Sequence, residues 1–248
     1  MSYKIVLDLH THTVASGHAY NTLREMAKAA SDRGLELLGI TEHAPQMPGS
    51  CHNFYFHNLK TVPRNLYGIR LLLGAEVNIM NYEGEVDLSQ KELKDLDVVI
   101  ASLHIPCIKA GTREQNTQAY LNVMKNPYVD IIGHPDDGRY QYDYEELAYL
   151  AAQHNKIIEI NNTSLRPGGV RPHAYENDCR LLEQCRKHAV PVLMGSDAHI
   201  CYDVGAHEAA EAVLEEAGYP KELILNYSLA GLLSRLAKNR EKWVDLEP

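Results

Sequence analysis

The 248-residue chain has no stretch near the roughly 18 consecutive apolar residues of a membrane helix, its best local run being Leu71 to Leu73. Its amino terminus, Met1-Ser2-Tyr3-Lys4, leads into an apolar segment interrupted by Asp8 and His10 and carries no cleavage-site pattern, so a cytoplasmic location is expected. The five cysteines (Cys51, Cys107, Cys179, Cys185 and Cys201) are odd in number and never spaced C-x-x-C, which excludes a cysteine zinc knuckle and favours reduced thiols over a disulfide framework. An excess of positive charge is also missing. Lys plus Arg number 24 against 33 Asp plus Glu, a net charge of −9, so neither nucleic acid nor an anionic membrane is an expected partner. Tyr140, Tyr142, Tyr144 and Tyr149 cluster in sequence, but with only Arg139 beside them they read as packing rather than as a base-stacking platform. The phosphate loop G-x-x-x-x-G-K-[ST], the dinucleotide fingerprint G-x-G-x-x-G and the nucleophile elbow G-x-S-x-G are absent as well.

What is present suits one globular α/β domain over residues 1–248, with 45% hydrophobic and 23% charged residues and no linker, repeat or low-complexity segment. Seven short apolar runs, at 5–9, 35–40, 71–77, 98–103, 129–133, 156–160 and 190–194, read as buried strands. Amphipathic segments at 22–33, 56–67, 115–125, 144–154 and 177–188 lie between them, and helix-like segments at 206–217 and 229–238 follow. Residues 78–88 form an excursion after the third strand. Thr22 and Glu25 stand in capping-box spacing ahead of the first helix. The alternation predicts repeated βαβ units and a parallel sheet covered on both faces, either a barrel or an open doubly wound sheet.

Thirteen histidines form the distinctive feature. Six of the strands are followed directly by potential metal ligands: His10 and His12, His43, Glu76, His104, His134, and Asp197 with His199, while His18 lies in the first loop. In parallel α/β folds the carboxyl ends of the strands share one rim, so these scattered residues are expected to converge there. One loop histidine is ordinarily a solvated or hydrogen-bonded residue, but nine candidates on one rim point to a site. Imidazole nitrogen with carboxylate oxygen suits zinc, manganese or iron better than calcium, and seven histidines exceed the needs of one four-coordinate ion.

Asp8-Leu9-His10-Thr11-His12-Thr13, Thr41-Glu42-His43, Gly74-Ala75-Glu76, Gly133-His134-Pro135 and Gly195-Ser196-Asp197-Ala198-His199 resemble, in order, the motifs of the PHP family, named for polymerase and histidinol phosphatase. Residues 13–20 and 159–162 are similar to its stand-alone phosphatase branch. The resemblance implies a distorted, TIM-barrel-like (βα)7 barrel with a trinuclear centre of divalent ions at the C-terminal rim of the strands. It further implies that His10, His12, Glu76 and Asp197 hold the first ion, that Glu76 bridges to a second held by His104 and His134, and that His18, His43 and His199 hold the third. Zinc is the favoured metal, with manganese or iron as alternatives. Glu42 departs from the family, which commonly has aspartate at that place.

A cationic centre inside an acidic protein suits phosphate oxygens, and ions about 3.5–4 Å apart can hold a nucleophile and a phosphoryl oxygen together. Hydrolysis of small phosphomonoesters by a metal-activated water follows as the expected activity, with Glu76 and Asp197 as the catalytic carboxylates. The alternatives are another metal-dependent hydrolase, acting on a phosphodiester, amide or lactone, and a non-catalytic metal-binding module. Arg113 and Arg171, in loops expected to overhang the rim, are candidate substrate contacts. His173, His207 and Glu42 are conceivable proton donors to the leaving group, though none is assigned. Homo-oligomerisation leaves no readable signature.

Overall fold

The computed structural model of the chain describes residues 3–237. Eight strands follow in order: β1 (Leu7–Asp8), β2 (Leu37–His43), β3 (Asn65–Leu66), β4 (Ile69–Asn78), β5 (Val99–Ser102), β6 (Ile131–Ile132), β7 (Ile157–Asn161) and β8 (Val192–Gly195). The helices are α1 (Leu23–Asp32), α2 (Asn53–Asn58), α3 (Gln90–Asp95), α4 (Arg113–Met124), α5 (Tyr144–Gln153), α6 (Asn162–Leu165), α7 (Ala174–Lys187), α8 (Glu208–Glu216) and α9 (Leu229–Ala237). All strands but β3 run parallel in chain order, and β3 pairs antiparallel with β4. The architecture is a nearly closed seven-stranded α/β barrel, and the expected open-sheet alternative is set aside by contacts between the first and last strands.

Those contacts form a seam. Above β1 and β8, the Ala198 carbonyl accepts the His12 N–H at 2.9 Å and the Ala198 N–H donates to the His10 carbonyl at 3.3 Å. Farther down, the Asn226 side chain stands in for missing ladder bonds: its Oδ1 accepts the Met194 N–H at 2.7 Å, and its Nδ2 donates to the carbonyls of Met194 at 2.8 Å and Leu7 at 3.3 Å. Its own carbonyl accepts the Val6 N–H at 2.9 Å.

Strand periodicity sorts side chains into two layers. Leu38, Ile40, Leu71, Leu73, Val99, Ile132, Ile158 and Val192 face outward into the helix-covered core. Leu7, Leu37, Leu72, Val98, Ile100, Ile131, Ile157 and Leu193 fill the barrel, joined by Leu225, Leu232 and Leu236. The carbonyl of Arg235 accepts from Asn155, just ahead of β7, which sets α9 across the N-terminal end of the strands. Each fully buried Leu or Ile contributes roughly 1.5–3 kcal/mol.

Read up the interior face, each strand changes from apolar to polar. Leu37 gives way to Gly39, Thr41 and His43, Leu72 to Gly74, Glu76 and Asn78, Ile157 to Glu159 and Asn161, and Leu193 to Gly195 and Asp197. A Cβ at Gly195 would collide with Glu159 Oε1, and one at Gly74 with the Val98 carbonyl, so side-chain-free positions let the polar layer settle onto the apolar one.

The capping box expected at Thr22 and Glu25 is present, with the Thr22 N–H donating to Glu25 Oε2 at 2.7 Å. The helix expected over 56–67 is shorter. α2 begins at Asn53, a single 3-10 turn covers Leu59–Thr61, and Pro63, lacking an N–H, precedes β3. Tyr67 and Gly68, both left-handed, then turn β3 back onto β4. The short helices α3 and α6 have too few residues to show a periodic signal in sequence, and Lys238, the last residue of the final expected helix, lies outside the described residues. Among the described residues no helix is long and apolar enough to cross a membrane.

Candidate metal centre

β4 delivers the hub. Its register sets Glu76 beside His43 of β2, and both are interior positions at the C-terminal end of the barrel. Around the fully buried Glu76 carboxylate stand five imidazoles. Oε2 lies 3.4 Å from His10 Nε2, 3.6 Å from His12 Nε2 and 2.7 Å from His43 Nδ1, while Oε1 lies 3.1 Å from His104 Nε2 and 2.8 Å from His134 Nε2. Asp197, in a left-handed conformation just after β8, sends Oδ1 to 3.6 Å from His10 Nε2 and 3.4 Å from His12 Nε2. His18 and His199 complete the outer end with their Nε2 atoms 3.1 Å apart.

All nine residues singled out in the sequence thus come together, drawn from six strands and the loops above them. The donor geometry fits bound ions. His10 Nε2, His12 Nε2, His43 Nδ1, His104 Nε2 and Glu76 Oε2 are buried and have no hydrogen-bond partner, a costly state for polar atoms unless something occupies the space between them. Atoms about 2.0–2.1 Å from a common tetrahedral ion lie roughly 3.4 Å from one another. The four contacts joining His10 and His12 to Glu76 Oε2 and Asp197 Oδ1 measure 3.4–3.6 Å. Three overlapping groups can each enclose an ion: His10, His12 and Glu76; His43, Glu76 and His104; and His12, His43 and His199. His43 belongs to two of them and so stands between the inner and outer parts of the cluster.

Hydrogen bonds to the far ring nitrogens aim several of these histidines. His10 Nδ1 meets Glu159 Oε1 at 2.6 Å, His104 Nδ1 meets Asn78 Oδ1 at 2.7 Å, and His199 Nδ1 meets the Asp197 carbonyl at 2.9 Å. Since carboxylate and carbonyl oxygens only accept, His10 and His199 carry their protons on Nδ1 and present Nε2 as a lone pair. Asn78 Nδ2 is committed to Asp87 and the Ala44 carbonyl, which turns Asn78 Oδ1 toward His104 and imposes the same tautomer there.

Electrostatics at the two carboxylates and at His12 point the same way, while at His10, against burial, Glu159, Glu76 and Asp197 hold the imidazole well above its ordinary value. Burial opposes charge on Glu76, yet His104, His10 and His43 hold its carboxyl well below the usual carboxylate range. Asp197 is likewise held well below it against burial, by His10, His12, Arg171 and His199. Burial, with His43 and His199 beside it, pushes His12 well below the ordinary imidazole value and so keeps it in the neutral, ligating form.

The two arginines are placed differently from each other. Arg171, largely buried, donates to Asp197 Oδ2 at 3.2 Å, to Asn161 Oδ1 at 3.2 Å and to Ser164 Oγ at 2.9 Å, beneath the cluster's acidic edge. Arg113 opens α4 and is engaged with Asp143 at 2.8 Å and the Tyr142 carbonyl at 3.2 Å. His207 is buried 3.6 Å from Asp8 behind β1, and His173 precedes α7. Sequence reasoning did not single out Glu159 or Asn78 as supports for ligands; Glu159 lies within the strand expected over 156–160, whereas Asn78 falls in the expected excursion 78–88 and in fact ends β4, on the same face as Glu76.

The chain is similar in sequence and in fold to known proteins. The profile of the PHP domain matches residues 8–165. A probable phosphatase of Clostridium novyi is 49% identical over 243 residues, covering 98% of each chain. One from Caldanaerobacter subterraneus subsp. tengcongensis is 44% identical over 247 residues, covering 98% of this chain and 95% of its own. Among solved structures, histidinol phosphate phosphatase from Lactococcus lactis, complexed with zinc, L-histidinol and phosphate, aligns with a TM-score of 0.58 at 20% identity over 87% of this chain and 95% of its own. A putative 2-pyrone-4,6-dicarboxylic acid hydrolase from Pseudomonas putida shares the fold at a TM-score of 0.51 and 17% identity, covering 93% of this chain and 97% of its own.

Proposed function

The chain belongs to the PHP domain family, and on that premise we propose that it is a metal-dependent phosphatase that hydrolyses small phosphomonoesters. The observation that carries the reading is the set of four buried, unpartnered imidazole nitrogens around the carboxylate of Glu76, whose own Oε2 is unpartnered as well. Its relatives from Clostridium novyi and Caldanaerobacter are named probable phosphatases, and the Lactococcus lactis enzyme of the same fold holds zinc and phosphate.

In this reading His10, His12, Glu76 and Asp197 hold one ion, Glu76 with His104 and His134 a second, and His18, His43 and His199 a third. Zinc is favoured by the nitrogen-rich donor set. Divalent ions held there supply Lewis acidity toward phosphoryl oxygens and bring the pKa of water toward about 7. The protein's own contribution is placement and charge. Glu76 offers one oxygen to each side of the inner cluster and fixes the separation of its two halves. Asp197 orders the seam side, and Arg171 holds Asp197 in place while offsetting part of the buried negative charge. The partly exposed His199 and exposed His18 mark the open end, where a phosphoryl group arrives from solvent.

Hydrolysis of p-nitrophenyl phosphate, measured before chelation, after chelation and after adding back zinc or manganese, tests the proposal. Turnover that disappears and returns is the expected result. Inactivity in protein shown to contain its metals, across a panel of phosphomonoesters, would overturn it.

A further inference from the structure

Unlike His10 and His104, His12 has no carboxylate or amide oxygen at its Nδ1. That atom meets Ser16 Oγ at 3.1 Å. A hydroxyl both donates and accepts, so the contact alone leaves the tautomer open. The surroundings of Ser16 close it. Ser16, fully buried, has one proton, and Glu42 Oε2 lies 2.6 Å away as an acceptor. The His43 backbone N–H, which can only donate, points at the same Ser16 oxygen at 3.0 Å. With its proton given to Glu42 and one lone pair taken by His43, Ser16 has one lone pair left for His12.

We propose that Glu42, acting through Ser16, is a positioning residue that keeps the His12 proton on Nδ1 and its Nε2 free to hold a metal ion; this extends the metal-site reading above. Glu42 lies on the strand position next to His43 and therefore points away from the barrel interior, so it cannot touch the cluster itself. Its three remaining contacts orient it. Oε2 accepts the Thr13 N–H at 3.0 Å, and Oε1 accepts the hydroxyls of Thr13 and, at 3.1 Å, Tyr55. One buried carboxylate thereby fixes the turn that carries Ser16, the direction of the Ser16 hydroxyl and, at one remove, the ring nitrogen His12 offers.

The arrangement makes an isosteric substitution informative. The Thr13 N–H cannot reverse, so a glutamine at position 42 must keep its oxygen at the Oε2 place. Its NH2 then falls at the Oε1 place, opposite two hydroxyls that can rotate to accept. Ser16 would still donate toward position 42. Glu42→Gln therefore preserves the relay while removing the charge; Glu42→Leu and Ser16→Ala abolish it.

The experiment uses full-length protein with 15N-labelled histidine, treated with chelator and checked for folding by circular dichroism. Long-range 1H–15N spectra identify which nitrogen of His12 is protonated, and zinc alone is then titrated in competition with a chromophoric chelator. In wild type and Glu42→Gln, His12 is expected as the Nδ1–H tautomer with matching zinc affinity. In Ser16→Ala and Glu42→Leu the Nε2–H tautomer should appear, with zinc affinity at one position lowered about 10–100-fold. Persistence of the Nδ1–H form in Ser16→Ala would overturn the proposal, and so would a Glu42→Gln protein that behaves like Glu42→Leu. Failure of wild type to bind zinc would instead overturn the metal-site reading, leaving the tautomer result to decide the relay.

Discussion

The inner and outer ends of the histidine cluster are built from the same residue type but held differently. At the inner end His10, His104 and His134 surround Glu76, all buried, and His10 and His104 are braced by side chains of β7 and β4 at 2.6 and 2.7 Å. At the outer end His18 and His199 hang from loops, stack on each other with ring centroids 4.8 Å apart, and meet solvent. Strand-borne ligands are set by the barrel before any ion arrives, whereas loop-borne ligands gain order from the ion itself. The inner positions should therefore retain their metal, and the outer one should exchange it and receive substrate.

The most severe way to break this contrast is Glu76→Gln, which removes the oxygen pair shared across the inner end. We expect kcat/KM to fall by about 10³-fold or more, roughly 4 kcal/mol, with inner ions lost in elemental analysis and the barrel still folded by circular dichroism. Near wild-type turnover would refute the shared-carboxylate arrangement.

Glu159→Gln should come next, at about 10²-fold in activity or metal affinity. Glu159 Oε2 accepts the His134 N–H at 2.7 Å, so a glutamine must keep its oxygen there and direct its NH2 at His10 Nδ1. His10 would then have to accept on Nδ1 and carry its proton on Nε2, spoiling it as a ligand. Chelator competition on this variant beside Glu42→Gln sharpens the comparison, because the same chemical change is harmful at one carboxylate and tolerated at the other.

His199→Ala should act only at the outer end, lowering activity about tenfold and removing one ion per chain; metal analysis showing an undiminished count would contradict the division. The smallest effect expected lies away from the cluster. Asp178 on α7 is buried with neither carboxylate oxygen hydrogen-bonded, and burial, with Asp136 and Glu159 nearby, pushes its carboxyl well above the usual range. The folded state then binds its proton more tightly than the unfolded chain, so this group costs stability as pH rises above the unfolded value of about 4. Asp178→Asn should raise Tm by about 2–4 °C per kcal/mol recovered, more at pH 8 than at pH 4, in thermal melts; a gain independent of pH would sink the explanation.

Much of this molecule is legible in its residues. Runs such as 71–77 and 156–160 announce buried strands because both faces are covered and apolar character is nearly continuous. Histidines placed just past those runs then predict convergence, since strand ends share a rim. Other features need three dimensions. The 3-10 turn and Pro63 that cut short the helix expected over 56–67 sit within an apolar spacing that looks helical, and local backbone chemistry overrides it. The lower part of the seam is closed by one amide, Asn226, with no pattern around it. The supports at Glu159, Asn78 and Ser16 are ordinary polar residues in sequence, and only register makes them partners of His10, His104 and His12.

The seam between β1 and β8 also sets a clock on biosynthesis. His10 and Asp197, whose side chains meet in the finished barrel, are 187 positions apart (197 − 10). At about 5–20 residues per second they leave the ribosome roughly 9–37 s apart, and the Asn226 clasp follows later still. Until Asp197 emerges, the nascent chain carries His10, His12 and Glu76 without the second carboxylate that faces them in the finished barrel. A chain stalled between residues 199 and 226 would carry all nine donors and still lack the Asn226 bonds that clasp β1 to β8.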